Sequence, residues 1–202
     1  MSRHNIAIIG SGVVGTATGR GFYKLGYHVT FFDISKHRLA SLKEEGYDVA
    51  SSLKDAISKA EISFVCVNTP QSKFSDNINN NINNNNNNNY DFDPFDEDLG
   101  KHQDLSQLLS ALHDITDALN DSSVNKKRFL VFRSTMLPGT MRNVVLDYLE
   151  ANCNLKNGKD YDVLYNPEFL RQHSALEDFF TPDRVVIGQK FADSTSPLVD
   201  MY

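Results

Sequence analysis

A six-residue run, Gly10-Ser11-Gly12-Val13-Val14-Gly15, directly follows the apolar stretch of residues 6–9 and opens a segment of helical period. Strand, glycine turn and helix in that order make a nucleotide phosphate the natural ligand of the turn. Gly10 permits the tight turn, Gly12 lets the backbone approach a pyrophosphate with no Cβ in the way, and Gly15 lets the helix lie close to the strand. The helix start then points unpaired N–H groups and the positive end of the macrodipole at the phosphates. Ser11, Val13 and Val14 complete the turn and count with the glycines as expected cofactor contacts. A second apolar run, residues 29–32, ends on Asp33. This acid lies about 20 residues beyond the glycines, where a carboxylate accepts the ribose hydroxyls of an adenosine. Its other use would be to cap the helix that opens near Ser35. In the ribose role it favours NAD over NADP, because a phosphate on the 2′-oxygen would meet a like charge. Lys36 and Arg38 stand close enough to soften that repulsion, and Arg38 joins the expected cofactor contacts.

Beyond the fingerprint, strand-length apolar runs keep alternating with helical periods: helix over 13–25, strand 29–32, helix 39–45, strand 62–67. The pattern resumes with helix 105–119, strand 129–132, helix 141–149, and strands 163–165 and 185–187. Such alternation predicts an α/β fold of the Rossmann type, a doubly wound parallel sheet of about six or seven strands with helices on both faces. At 202 residues and 40% apolar content the chain is expected to form one domain over residues 1–202. One foreign stretch interrupts it, residues 72–100, where an asparagine tract at 77–89 is followed by an acidic run at 91–98. Asparagine buries no apolar area and competes for backbone hydrogen bonds, so the stretch reads as a disordered surface insertion.

The formal net charge of -6, with Lys and Arg scattered, argues against nucleic acid as a partner. The apolar run that Gly10 ends is too short for a signal-peptide core or a membrane span, which leaves the cytoplasm as the expected location. Cys66 and Cys153 have neither metal-ligand nor redox spacing, so no metal is expected, and Cys66 reads as a small buried hydrophobe in the strand at 62–67.

Three further segments carry a family resemblance. They are Val67-Asn68-Thr69-Pro70; Arg133-Ser134-Thr135-Met136-Leu137-Pro138-Gly139-Thr140; and Tyr165-Asn166-Pro167-Glu168-Phe169-Leu170-Arg171, which is followed by Ser174-Ala175 and by Pro182-Asp183-Arg184-Val185-Val186-Ile187-Gly188. In this order they resemble the nucleotide-sugar 6-dehydrogenases that act on UDP-glucose and GDP-mannose, and Leu137-Pro138 is closer to the GDP-mannose branch. The resemblance implies NAD as cofactor, with Val67, Asn68, Thr69, Pro70, Ser134 and Thr135 on the cofactor side. Thr135 matches the family's threonine in the active-site hydroxyl and water network, and Glu168 its catalytic glutamate. Phe169, Leu170 and Arg171, together with Glu168, match the stretch that lines the sugar-nucleotide site. Gln172 departs from the pattern, since many members have a glutamate there near the nicotinamide; it is kept as a cofactor contact. All of these turns fall at predicted carboxyl ends of strands, where doubly wound sheets bind ligands.

In the family a cysteine on a second domain captures the aldehyde between two hydride transfers, within a G-F-G-G-x-C-F-P-K-D stretch that these 202 residues do not contain. Residues 197–202 resemble the start of the long helix that leads to that domain and builds the family's dimer. The expectation is therefore the NAD-binding half of such an enzyme, with a homo-oligomer or a separate chain carrying the other half as partner, and no turnover by these residues alone. Two alternatives stay open: a non-enzymatic NAD-binding module or remnant of the family, and a relative of the β-hydroxyacid dehydrogenases.

Overall fold

The computed structural model describes residues 4–71, 103–121, 126–171, 173–191 and 197–202. The expectations for the asparagine-rich stretch and for Gln172 lie outside the described residues. The elements begin with β1 (Asn5–Ile9), α1 (Val13–Lys24), β2 (His28–Phe32), α2 (Lys36–Glu44), β3 (Asp48–Val49), α3 (Leu53–Lys59) and β4 (Ile62–Val65). After residue 103 come α4 (Ser106–Asn120), β5 (Arg128–Phe132), a π-helical segment (Met141–Leu146) running into α5 (Asp147–Asn152), β6 (Tyr161–Tyr165), α6 (Ala175–Phe180), β7 (Gly188–Gln189) and α7 (Pro197–Met201).

The sheet has the order β3-β2-β1-β4-β5-β6-β7. All its pairs are parallel except β6 with β7. This is the doubly wound arrangement, with the strand order reversing between β1 and β4. Two-residue alternation along the strands sends side chains into separate cores. Ile6, Ile8, Phe64 and Val131 pack with Phe22 of α1 and Phe179 of α6, whereas Ile9, Val65, Leu130 and Phe132 pack with Ile57, Leu112 and Leu149 of α3, α4 and α5. Strands covered on both faces must be apolar at nearly every position, which is why they read as continuous runs.

Three local features depart from the sequence reading. The strand expected at 185–187 does not form: Val185 and Val186 are about 40% exposed, and the pairing, antiparallel, falls on Gly188–Gln189 at the sheet edge. Asn166 draws this segment across by donating Nδ2–H to the Val186 carbonyl at 2.7 Å. The short α3 escaped periodicity, yet its start is capped in both directions: Ser52 Oγ accepts from Asp55 N at 3.0 Å, and Asp55 Oδ2 accepts from Ser51 N at 3.1 Å. The helix expected over 141–149 begins as a π-helix and continues to Asn152. No helix among the described residues is long and apolar enough to cross a membrane.

Candidate active site at the carboxyl ends of the strands

The turn between β1 and α1 is held by a bond from Gly10 N to Phe32 O at 2.9 Å, which ties the end of β1 to that of β2. Gly10 has φ +92°, and a Cβ there would stand 2.8 Å from the Cys66 carbonyl oxygen. A Cβ on Gly15 would lie 1.9 Å from the Gly10 carbonyl oxygen, so this glycine is what lets α1 rise directly off the turn. Gly12 differs, because no atom lies within 4 Å of the place its Cβ would take. That open face, next to a helix start with no side-chain cap and no acid in its first turn, fits a pyrophosphate.

Asp33 closes β2 with its side chain only 4% exposed. Its Oδ2 accepts from Ser11 N at 2.6 Å and its Oδ1 from Ser35 N at 2.7 Å, while Arg38 Nη1 stands 3.4 Å from Oδ2. The helix-capping role belongs to Ser35, whose hydroxyl accepts from Arg38 N. A carboxylate has about four lone-pair sites, so after both amides are served Asp33 keeps capacity for ribose hydroxyls. It lines a cavity of 520 Å³ together with Gly10, Gly12, Ile34, Arg38 and Asn68. Ser11 is buried and serves the site through its amide on Asp33.

The ladder continues one residue past each of the central strands: Cys66 N reaches Ile9 O at 2.7 Å, Arg133 N reaches Val65 O at 2.9 Å, and Asn166 N reaches Phe132 O at 2.9 Å. The turns after β4, β5 and β6 therefore emerge side by side. Ser134 Oγ donates to Val67 O at 2.6 Å, and Thr69 Oγ1 donates to Thr135 O at 2.5 Å, so the first two turns are strapped together. A second cavity, of 450 Å³, is lined by Val13, Val14, Pro70, Ser134, Thr135 and Glu168 among others. It shares Gly12, Cys66, Val67, Asn68 and Gln107 with the first cavity, which makes one trough across the reversal point of the sheet. Thr135 is exposed there, and Glu168 is half-buried with Oε2 accepting from Leu170 N at 2.5 Å.

Glu168 also borders a third cavity, of 340 Å³, with Phe169, Leu170, Arg171 and Arg184. Phe169 is 56% exposed, and the Arg184 guanidinium sits 5.7 Å from its ring centre. Arg171 is engaged from the side: its Nη2 and Nε donate to the two oxygens of Asp178 at 2.6 and 3.2 Å. These bonds, with the Arg171 amide, hold the Asp178 carboxyl far below the usual carboxylate range. In the wall of the same cavity, buried Arg133 donates to Asn166 Oδ1 and to Tyr202 Oη. Burial pushes the Cys66 thiol up to about 12, with Arg133 opposing that rise, so Cys66 stays a neutral core residue. Sequence reasoning gave no part to Gln103, whose amide bonds both Thr69 and Thr135; it stands beyond the asparagine-rich stretch in no motif.

A glycine turn with an open phosphate face and a carboxylate fixed at the end of β2, beside the point where the strand order reverses, define a Rossmann-type NAD-binding domain. The chain belongs to the UDP-glucose/GDP-mannose dehydrogenase family, whose NAD binding domain matches residues 43–202. It is 30% identical over 198 residues to a UDP-glucose 6-dehydrogenase of Rickettsia typhi, covering 98% of this chain and 42% of that protein. It is 29% identical over 217 residues to a GDP-mannose 6-dehydrogenase of Pseudomonas putida, covering 98% and 43%. Among solved structures, the ternary complex of GDP-mannose dehydrogenase from Pseudomonas aeruginosa superposes with a TM-score of 0.76 at 25% identity, over 98% of this chain and 43% of that one. The chain thus spans less than half the length of the relatives it matches.

Proposed function

We propose that residues 1–202 act as one unit, the NAD-binding half of a cytosolic nucleotide-sugar 6-dehydrogenase that oxidises UDP-glucose or a GDP-mannose type sugar to its uronic acid. The observation that carries this reading is the shared wall of the first two cavities: the Gly12 turn and Asp33 border one, and Gly12, Thr135 and Glu168 border the other. A cofactor laid along that trough from Asp33 would have its far end beside the acid and the hydroxyl. NAD, when bound, supplies the acceptor for the hydride removed from C6. The protein's own part is to hold and orient. The Gly10 to Gly15 turn receives the pyrophosphate, Asp33 the ribose, and Val67 to Pro70 with Ser134 and Thr135 the remaining cofactor wall. Glu168 and Thr135 hold a proton and a water or sugar hydroxyl at the reacting carbon. Phe169 and Leu170 offer apolar walls to the sugar nucleotide, and Arg171, braced by Asp178, a fixed cation at their edge.

Calorimetric titration of the chain with NAD and NADP tests the cofactor side of this reading, with tighter binding of NAD as the expected result. Equal affinity for the two would overturn the role of Asp33. Mixing the chain with the carboxyl-terminal half of a family member on a separate chain tests the enzymatic side. Restored NADH formation from UDP-glucose or GDP-mannose is expected, and Glu168→Gln should slow it; an unchanged rate in that variant would remove Glu168 from the chemistry.

A further inference from the structure

Gln103 is bonded through every polar atom of its side chain to the turns that build the second cavity. Nε2 donates to Thr69 O at 3.1 Å and to Thr135 O at 2.9 Å, while Oε1 accepts from Leu137 N at 3.3 Å. Its backbone is fixed as well, since Gln103 forms an antiparallel bridge with Gln71 and the next amide, Asp104 N, donates to Pro70 O at 2.8 Å. One planar amide thus spans the turn after β4 and the turn after β5. Only a primary amide has the two donors and the acceptor that this needs in one plane; a carboxylate lacks the donors and an ammonium lacks the acceptor. The Thr135 carbonyl receives both Gln103 Nε2 and Thr69 Oγ1, so both its lone pairs are in use and the peptide that carries the Thr135 side chain cannot rotate freely.

We infer that Gln103 is a positioning residue for the nicotinamide side of the trough: it fixes the Thr135 turn against the Thr69 turn and so sets the wall that NAD's far end meets. The inference rests on the NAD reading above and extends it. Gln103 lines neither of the two trough cavities and therefore acts through Thr69, Thr135 and Leu137. The adenosine side does not depend on it, because Asp33 is held there by Ser11 and Ser35. Loss of the amide should accordingly weaken ligands that carry nicotinamide and spare those that do not.

ADP-ribose, which has the adenosine, the diphosphate and the second ribose but no nicotinamide, is the discriminating probe. Wild type, Gln103→Met, Gln103→Ala and Gln103→Glu are titrated with NAD, NADH and ADP-ribose, with thermal melting of each. Gln103→Met, similar in length but without the amide, should raise the Kd for NAD about tenfold, because binding must then order the two turns that the amide now holds. Its Kd for ADP-ribose should stay within about twofold, since no bond on that side is touched. Gln103→Glu should weaken NAD further still, because a carboxylate would face the Thr69 and Thr135 carbonyls. The fluorescence gain of bound NADH should fall in the same order. Equal weakening of NAD and ADP-ribose in the variants that fold, or no weakening of either, overturns the inference. So does failure of every variant to fold, which would make Gln103 a structural residue. Wild-type protein that binds neither ligand overturns the NAD reading itself, a result distinct from these.

Discussion

At the adenosine end of the trough, the Asp33 side chain is 4% exposed and has both oxygens fixed by backbone amides, whereas at the other end Glu168 is half-buried on an amide of its own turn and Thr135 is exposed. The first end is assembled from two neighbouring turns, at Gly10 and Asp33, that β1 and β2 bring into contact along their whole length. The second gathers turns after β4, β5 and β6: side chains of Thr69, Ser134 and Gln103 join the first two, and Arg133 with Asn166 ties the third to them. The difference separates binding from chemistry. A carboxylate already desolvated and oriented recognises ribose at little further cost. An acid and a hydroxyl facing solvent neither exclude water nor orient a sugar carbon by themselves.

The largest effect should therefore be on turnover. Mixed with NAD and UDP-glucose or GDP-mannose, the 202 residues should give no sustained NADH signal at 340 nm, although they bind the cofactor. Orientation alone accounts for about 7–11 kcal/mol of a barrier. Neither thiol can hold an aldehyde at the trough: Cys66 is buried and neutral, and Cys153 follows α5, packed against the core of the opposite face. Steady NADH production would break the comparison by showing that the open end is already competent.

Next in size is Asp33→Ala. A charge-assisted contact to ribose is worth about 1.5–3 kcal/mol, so the affinity for NAD should fall roughly tenfold or more and the preference over NADP should narrow. The variant also strips the Ser11 and Ser35 amides of their acceptor. Calorimetry on wild type and variant decides it, and an unchanged Kd for NAD would show that the adenosine end is not organised around this carboxylate.

The two ends also differ in how far they could be read from sequence. The glycine turn was legible from its spacing directly after an apolar run: Gly15 answers the nearby Gly10 carbonyl, Gly12 leaves an open face, and Gly10 also makes room for the chain that follows β4. Asp33 was legible by its distance from that turn. Glu168 and Thr135 were legible only through family resemblance, since an acid after Asn-Pro and a hydroxyl in a turn have ordinary local uses. Gln103 and the Arg171–Asp178 pair were not legible at all. The partners of Gln103 are set by which turns the sheet brings side by side, and Arg171 meets Asp178 through the bend of the chain into the helix at 175–180; no periodicity encodes either. The strand expected at 185–187 was misjudged for a related reason: its apolar residues sit on an edge where Asn166, and not ladder pairing, fixes the chain.

A smaller effect is expected from Asp178→Asn, which releases Arg171 at the open end. The carboxyl is depressed in the folded state, chiefly by its bonds to the Arg171 side chain and amide. Its stabilising contribution is therefore complete above the ordinary value of 3.8 and is lost as pH falls from there through the folded value. Melting curves should show the wild type ahead of the variant by a few degrees at most at neutral pH, and the gap should close in strong acid. NAD affinity should not change, because the pair borders the third cavity and not the adenosine end. A gap that persists unchanged into strong acid would mean that the ion pair is not its source.

The smallest effect should come from removing residues 76–89. The stretch leaves and re-enters the fold at the open end, where Gln71 and Gln103 pair with each other and Asp104 N is bonded to Pro70 O. Its two ends are thus pinned together by described residues whatever lies between them. Shortening the connection by about half changes the closure entropy by only about 0.6 kcal/mol, because that entropy varies with the logarithm of loop length. Such a change moves the melting temperature of a chain this size by about 2 °C. The Kd for NAD and for ADP-ribose should both remain within error of wild type. A selective loss of NAD affinity would place part of the stretch against the nicotinamide side, through the same Gln71–Gln103 pairing. A drop of many degrees would show that it packs on the domain, contrary to what a run of asparagines can bury.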